Sequence, residues 1–368
     1  MLQRPPAEPG MSLSDVDTPA LIVDLNAFEA NLAKMAAIAT AAGVKLRPHA
    51  KTHKSPVIAL MQMAHGAVGQ CVQKVAEAEI LAWGGVPDIL VSNEVVSPRK
   101  LARLAALART CRIAICVDSL EGVDLIEAAA RDANVTLSVL VEIDVGAGRC
   151  GIAPSAAIAC AKRIAASPHL SFGGLQAYQG RAQHLRTPDE RSAAISHVAE
   201  ITRGVVADLR ATGLECAIVG GAGTGTFALE AASGVFTELQ VGSYIFMDAD
   251  YGRNQPAPPF ANALFVLSSV MSVPNAGLAI VDAGLKALAV DSGMPLVWNR
   301  AGIDYVGASD EHGNLALSAD AVPLRLGEQV MLVPGHCDPT VDRYDWYVGI
   351  RGTRVERLWP VAARGAMT

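Results

Sequence analysis

Four short stretches hold the residues whose types and spacing could do chemistry. "KLRPHAKTHKSP" (45–56) packs Lys51 and Lys54 among histidines and an arginine, with apolar "AAGV" and "VIAL" on either side. "GGAGTG" (220–225) and "GSY" (242–244) offer glycines, and "LVPGHCDPTV" sets His336 and Asp338 two residues apart. A lysine amine can condense with a carbonyl. Glycine loops let backbone N–H groups approach an anion. One imidazole and one carboxylate, with positions left for water or substrate, suit a divalent ion. In an extended segment a period of two sends His336 and Asp338 to one face, with Cys337 pointing the other way.

Whether those stretches meet depends on the elements that carry them. From residue 44 a β-rich run, a stop and an alanine-rich helical segment repeat. The expected strands are Val44–Arg47, Ala67–Gln73, Asp88–Asn93, Arg112–Asp118, Val135–Asp144, Leu170–Tyr178, Ala217–Gly221 and Glu238–Val241. Eight alternations fit an α/β fold, a closed (β/α)8 TIM-type barrel. An open doubly wound sheet is the rival. Beyond the Pro- and Gly-containing segment 252–259, runs such as "ALFVLSSVMSV" and "WYVGIRGTRVERLWPV" read as an antiparallel β domain. The expected division is a flexible leader over 1–15, a barrel over 16–254 and a β domain over 255–368. The strand near 20–25 is a candidate partner for the β domain.

Barrel enzymes place their chemistry at the C-terminal ends of strands. Taken in order, those ends carry Lys51, Gln73, Asn93, Asp118, Arg149, Tyr178, "GGAGTG" and "GSY". The glycine loops fall after strands seven and eight, where such barrels commonly bind phosphate. Gly223, Thr224 and Gly225, with Gly242 and Ser243, would form the cup, with Tyr244 beside it as a further cofactor-binding candidate, although "GGAGTG" alone also suits a tight turn. A phosphate cup facing a strand-end lysine suggests pyridoxal phosphate, whose aldehyde forms a Schiff base with lysine. Lys51 closes the first strand, whereas Lys54 opens the next helix. Gln73, Arg149 and Tyr178 are candidates for the shell around the cofactor ring. His184 lies six residues past Tyr178, and His312 sits in "SDEHG".

Composition narrows the function class. The chain has 368 residues and a net charge of −6, so no broad basic field awaits nucleic acid or an anionic membrane. Seven scattered cysteines suit reduced thiols in the cytoplasm. No apolar run is long enough to span a bilayer.

Together these residues resemble the D-threonine aldolase and D-serine dehydratase group of fold-type III, alanine racemase-like enzymes. The similarity extends from about Asp17 to Gly365, through "RPHAKTHK", "VEIDVGAGRCG", "LQAYQG", "TELQVGSYIFMDADYG", "VDAGLKA" and "PGHCDPTV". It implies Lys51 as the Schiff-base lysine, Arg149 and Tyr178 around the ring, and a divalent metal on His336 and Asp338. His184 matches the position aldolases of the group use as a base. Ala222 stands where aldolase relatives tend to carry glycine. The dehydratase branch carries H-x-C with zinc and the aldolases H-x-D, so the resemblance implies an aldolase of D-threonine or 3-hydroxy-D-aspartate. Mn²⁺ is the first expected ion, with Mg²⁺, Co²⁺ or Zn²⁺ as alternatives. The expected partners are a small amino-acid substrate and a second copy in a homodimer. A dehydratase using the same parts is the alternative. A barrel-only cofactor carrier is a third reading, against which the β domain stands.

Overall fold

The structure, a computed structural model, describes residues 3–368. Its first strand, β1 (Ala20–Asp24), lies outside the barrel, which begins only after the helix Leu25–Ala41. The barrel strands are β2 (Lys45–Leu46), β3 (Gln70–Val72), β4 (Asp88–Val91), β5 (Arg112–Val117), β6 (Leu137–Glu142), β7 (Leu170–Gln176), β8 (Ile218–Gly221) and β9 (Glu238–Leu239). Each lies inside its expected run. All pair in parallel in the order β2-β9-β8-β7-β6-β5-β4-β3, and a parallel bridge between His49 and Cys71 joins the two ends. The sheet is therefore a closed, eight-stranded parallel barrel. β2 and β9 have only two residues each, so their ladder is short. Arg47 reinforces it: its guanidinium bonds Glu238 on β9 (2.7 Å) and reaches Asp88 on β4.

Alternation along each strand sorts the side chains. Cys71, Leu90, Ala114, Cys116 and Leu140 form one buried cluster. Their neighbours Val72, Ile89, Val91, Ile115, Val139 and Val141 pack in a second, with Leu81, Leu104, Ile126 and Ile164 from the helices. The first set fills the barrel and the second seals the helical layer.

The second sheet contains β10 (Leu264–Asn275), β11 (Leu278–Val281), β12 (Leu296–Val297), β13 (Ile303–Ala308), β14 (Gly313–Leu317), β15 (Gln329–Val333), β16 (Trp346–Arg351) and β17 (Arg354–Pro360). Its main path is β13-β14-β11-β10-β1-β16-β17, with β15 paired to β10 and β12 to β15. The expected all-antiparallel domain is corrected in one respect. β1 runs antiparallel to β10 and parallel to β16, so the sheet is mixed. A strand's alternating pattern reports its buried face and carries nothing about a neighbour's direction.

The expected flexible leader also needs correction over residues 3–15; residues 1 and 2 lie outside the described residues. Gly10 N–H donates to Val355 O and Leu13 N–H to Thr353 O, both at 2.8 Å. Trp346 Nε1–H donates to Gln3 O (2.8 Å), and Ala7 is buried. Backbone hydrogen bonds to the β16–β17 hairpin hold this segment, and they need no apolar side-chain pattern.

An aromatic chain fastens the β domain to the barrel. Phe28, Phe246, Tyr347 and Trp359 follow one another at centroid distances of 6.1, 5.8 and 5.4 Å. The Tyr347 hydroxyl donates to His53 O (2.7 Å), tying β16 to the loop that carries Lys51. Among the described residues no helix is long and apolar enough to cross a membrane.

Candidate active site

The lysine-bearing loop separates two cations three residues apart. After β2, His49 leads into a single 3-10 turn, Ala50–Thr52, that presents Lys51 to a cleft at the C-terminal end of the barrel. Lys51 Nζ stands 3.7 Å from Asp338 Oδ2. Burial pulls down the pKa of its amine, but Asp338 and then Tyr178 pull it upward, and the net shift is above the usual lysine value. Lys54 adopts a left-handed backbone (φ 50°) and turns inward. Its ammonium is buried between Asp342 (2.8 Å) and Glu77 (3.4 Å).

Removing one partner of a buried ion pair leaves the others desolvated and uncompensated, a loss of about 3–5 kcal/mol. Lys54→Ala is thus expected to lower stability in urea by about 3 kcal/mol and, since the resemblance puts the Schiff base on Lys51, to keep the absorbance of a lysine-linked cofactor. Loss of that absorbance in a folded variant would contradict the assignment of the two lysines.

The glycine loops form a cradle between strand ends. A Cβ on Gly223 would stand 2.5 Å from Gln183 Oε1, and one on Gly242 would stand 2.4 Å from Thr52 Oγ1. A side chain at either position would have to displace those groups. Thr52 Oγ1 and Thr224 Oγ1 are buried with no hydrogen-bond partner, and both residues line the cleft with Ser243. Orphaned buried hydroxyls beside close-packed glycines fit an anionic group such as a phosphate. Ala222 holds φ 72°, the left-handed region that favours glycine. Two expected members drop out. The Gly225 amide already donates to Gln183 Oε1 (2.9 Å). The Tyr244 side chain is wholly buried, accepts from Gln62 Nε2 (3.1 Å) and packs on Phe260 at 5.6 Å. A 3-10 turn over Ser243–Ile245 points that ring into the core.

Tyr178 and Arg149 meet, with the guanidinium carbon 5.8 Å from the ring centroid. Arg149 also lies 3.9 Å from Glu142. Burial and then the neighbouring Glu94 carboxylate raise the Glu142 pKa to about 8. Gln73 Nε2 is 2.9 Å from His49 Nε2, and Ser92 Oγ is 3.2 Å from the same nitrogen. Burial, followed by the Lys51 ammonium and smaller contributions from His53 and Arg149, keeps His49 well below the usual histidine range, and hence neutral. Gln176 and Gln240 clasp each other through two amide hydrogen bonds of 2.8 and 2.7 Å at the end of β7 and just beyond β9. A planar heteroaromatic ring with polar edges fits these walls.

The H-x-D pair reaches the cleft by a different route from the one expected. His336 is extended (φ −143°, ψ 124°), but Cys337–Val341 is a short helix, so the two side chains do not share a strand face. Both nevertheless line the cleft. The Cys337 amide donates to Asp248 Oδ2 (3.0 Å), and its thiol is buried. His336 Nδ1–H donates to Asp291 Oδ2 (2.8 Å), which leaves Nε2 as the free ring nitrogen. A carboxylate behind a histidine is a common outer shell for a metal ligand. Among the described residues no group of three or more His, Cys, Asp or Glu stands ready for a metal. A two-residue site that leaves further positions to water and substrate is compatible with that finding.

His184 ends a 3-10 turn (Arg181–His184) and lines the cleft with Tyr251 and Asp250. Lys51, Gln73, Arg149, Tyr178, His184, Gly223, Thr224, Gly242, Ser243, His336 and Asp338 thus converge in one cavity. His49, Thr52, Ser92, Gln176, Gln240, Asp250 and Tyr251 join them without having been singled out from sequence. Gln176 and Gln240 were findable, because each closes a strand like Gln73. Asp291 carried no signal, since its partner His336 is 45 residues away.

Comparison with known proteins places this geometry. A family profile described as the alanine racemase N-terminal domain matches residues 23–250, and one described as a putative serine dehydratase domain matches 263–350. The 3-hydroxy-D-aspartate aldolase of Paracoccus denitrificans (strain Pd 1222) is 47% identical over 370 residues, spanning 98% of this chain and 95% of that protein. The crystal structure of D-threonine aldolase from Filomicrobium marinum shares 49% identity and a TM-score of 0.98, covering 100% of both chains. The D-threo-3-hydroxyaspartate dehydratase of Delftia sp. (strain HT23) is more distant, at 30% identity over 95% of this chain and 98% of that protein. A lysine-centred cleft with an anion cradle, on an alanine racemase-type barrel, makes this chain a member of the D-threonine and 3-hydroxy-D-aspartate aldolase family, lyases whose fold implies pyridoxal phosphate.

Proposed function

We propose that the protein cleaves D-β-hydroxy-α-amino acids, D-threonine or 3-hydroxy-D-aspartate, to glycine and an aldehyde, using pyridoxal phosphate and a divalent metal. One observation carries the choice of bond: Asp338, and not Cys337, lines the cleft beside His336. A carboxylate with an imidazole makes an oxygen-rich site suited to Mn²⁺, with Mg²⁺, Co²⁺ or Zn²⁺ as alternatives, whereas a thiolate would favour zinc. In this reading Lys51 holds the cofactor, Thr224, Gly223, Gly242 and Ser243 its phosphate, and Gln73, Arg149 and Tyr178 surround its ring. When bound, the cofactor and the ion supply an electron sink at Cα and a positive charge at the β-oxygen.

The protein's own residues do the rest. His336, steadied by Asp291, and Asp338 would hold the ion. His184 takes the β-hydroxyl proton at Nε2, because its Nδ1 is committed to Asp250. As that O–H bond breaks, its electron pair becomes part of the aldehyde's C=O, and the Cα–Cβ bond opens with its pair passing to Cα. Cα then takes up a proton to give glycine. A homodimer and a cytoplasmic location belong to the same proposal. Exposed Leu296, Val306 and Met271 on the β domain support the first, and seven free cysteines the second.

The test is product analysis with D-threonine, 3-hydroxy-D-aspartate and D-serine, with and without EDTA. Glycine plus an aldehyde is expected, with chelation stopping the reaction. Should 2-oxobutanoate or oxaloacetate with ammonia dominate, the protein is a dehydratase. His184→Ala is expected to slow cleavage about 100- to 1000-fold while substrate still shifts the cofactor spectrum. A near-normal rate in that variant would remove His184 from the role of base.

A further inference from the structure

The base in this cleft is itself held by a buried carboxylate from a different element. Asp250 lies on the short helix Ala249–Gly252 and is almost wholly buried, whereas the His184 side chain is about half exposed. His184 Nδ1–H donates to Asp250 Oδ2 at 2.6 Å. The other carboxylate oxygen, Oδ1, accepts from Arg186 Nη2, and Arg186 Nη1–H donates to Asp250 O (2.8 Å) and Asn254 Oδ1 (2.7 Å). The imidazole stacks on Tyr251 (centroids 6.4 Å apart, 24° between planes). Both carboxylate oxygens are spoken for, and the histidine has one ring nitrogen left.

We propose that Asp250 is the positioning residue for His184: it fixes the tautomer with hydrogen on Nδ1, so that Nε2 is the nitrogen presented to the substrate hydroxyl, and Arg186 locks Asp250 in turn. This rests on the aldolase reading and adds to it a residue that never touches substrate. The arrangement follows a general pattern in which a third group orients the base. It also sets the charge of the imidazole. Asp250, and after it Asp248, favour the His184 cation; burial and Arg186 oppose it, and the pKa rises above the usual histidine value. Asp250 is drawn down to about 2, since hydrogen bonds from His184 and Arg186 outweigh its burial. Lys51 and Tyr178 after barrel strands, and His336 and Asp338 from the β domain, line the same cleft.

A base works only when unprotonated, so the acid limb of kcat should follow the His184 pKa. Asp250→Asn removes the charge that favours the cation. In metal- and cofactor-loaded enzyme, glycine formation from D-threonine is expected to fall about 100-fold in kcat, with KM and cofactor absorbance unchanged. The acid limb should move to lower pH, and Asp250→Glu should restore most of the rate. An unmoved limb with an unchanged kcat would overturn the proposal, as would a loss of rate that tracks loss of cofactor. If Asp250→Asn fails to fold, ¹⁵N NMR of histidine-labelled wild-type holoenzyme decides: hydrogen on Nδ1 of His184 above the acid limb supports the proposal, and hydrogen on Nε2 overturns it. Glycine and aldehyde from the wild type are measured separately, so failure of the dyad leaves the aldolase reading standing. Failure of that reading shows in the wild-type products alone.

Discussion

Lys51→Ala is expected to abolish the visible absorbance of lysine-linked cofactor and to lower cleavage by about 10³- to 10⁴-fold or more, the scale for deleting a group that bonds to or exchanges protons with the reacting centre. Lys51 is the lysine that lines the cleft, whereas Lys54 is buried between Asp342 and Glu77. No charge partner closer than Asp338, at 3.7 Å, engages Lys51 among the described residues. Its removal should therefore leave urea stability within about 1 kcal/mol of wild type, the range of ordinary partly exposed substitutions. Spectroscopy of the purified variant with added pyridoxal phosphate, together with borohydride trapping, checks the first part, and the rate of glycine formation the second. A cofactor still captured as a reducible imine in Lys51→Ala would transfer the role to another lysine.

The second large effect is expected at Asp338. Asp338→Ala should lose aldol cleavage by about 100-fold or more, because a cation stabilising charge on the β-oxygen contributes several kcal/mol to such a barrier. Cofactor absorbance should persist, since Lys51, the Thr224 cradle and Tyr178 are untouched. Mn²⁺ affinity, read by electron paramagnetic resonance of the free ion, should fall with the rate. The lysine provides an independent check. Asp338 is the leading charge that holds the Lys51 pKa upward, so its loss should lower that pKa and leave more neutral amine at pH 7. Cofactor uptake by the variant should then be no slower than in the wild type. Full activity of Asp338→Ala after thorough chelation would sink the metal reading.

How much of this was legible varies from residue to residue. Strand ends were readable because side-chain alternation and glycine stops are local. Lys51, Gln73, Arg149 and Tyr178 each sit one loop from a strand, and barrel closure carries all such ends to one rim. His336 and Asp338 were picked out by an argument from strand period, yet they reach the cleft through the start of a helix. Both residues line the cleft, but not by the strand geometry expected of them. Tyr244 shows the converse. It follows two cradle residues in sequence, but a 3-10 turn sends its ring into the core beside Phe260.

By itself, then, the sequence determined the eight parallel repeats, the strand-end lysine, the glycine cradle and the H-x-D pair, all of which rest on spacings of a few residues. Only the tertiary structure decided what pairs with what. It placed β1 between β10 and β16, packed residues 3–15 on the β16–β17 hairpin, and buried Lys54 while leaving Lys51 in the cleft. It brought Asp250 to His184 across 66 residues and Asp291 to His336 across 45. The physical reason is that periodicity records which face of an element is buried, while a hydrogen-bond partner is chosen by where two elements meet in space. A carboxylate in a loop has the same local sequence signature whether it faces solvent or an imidazole.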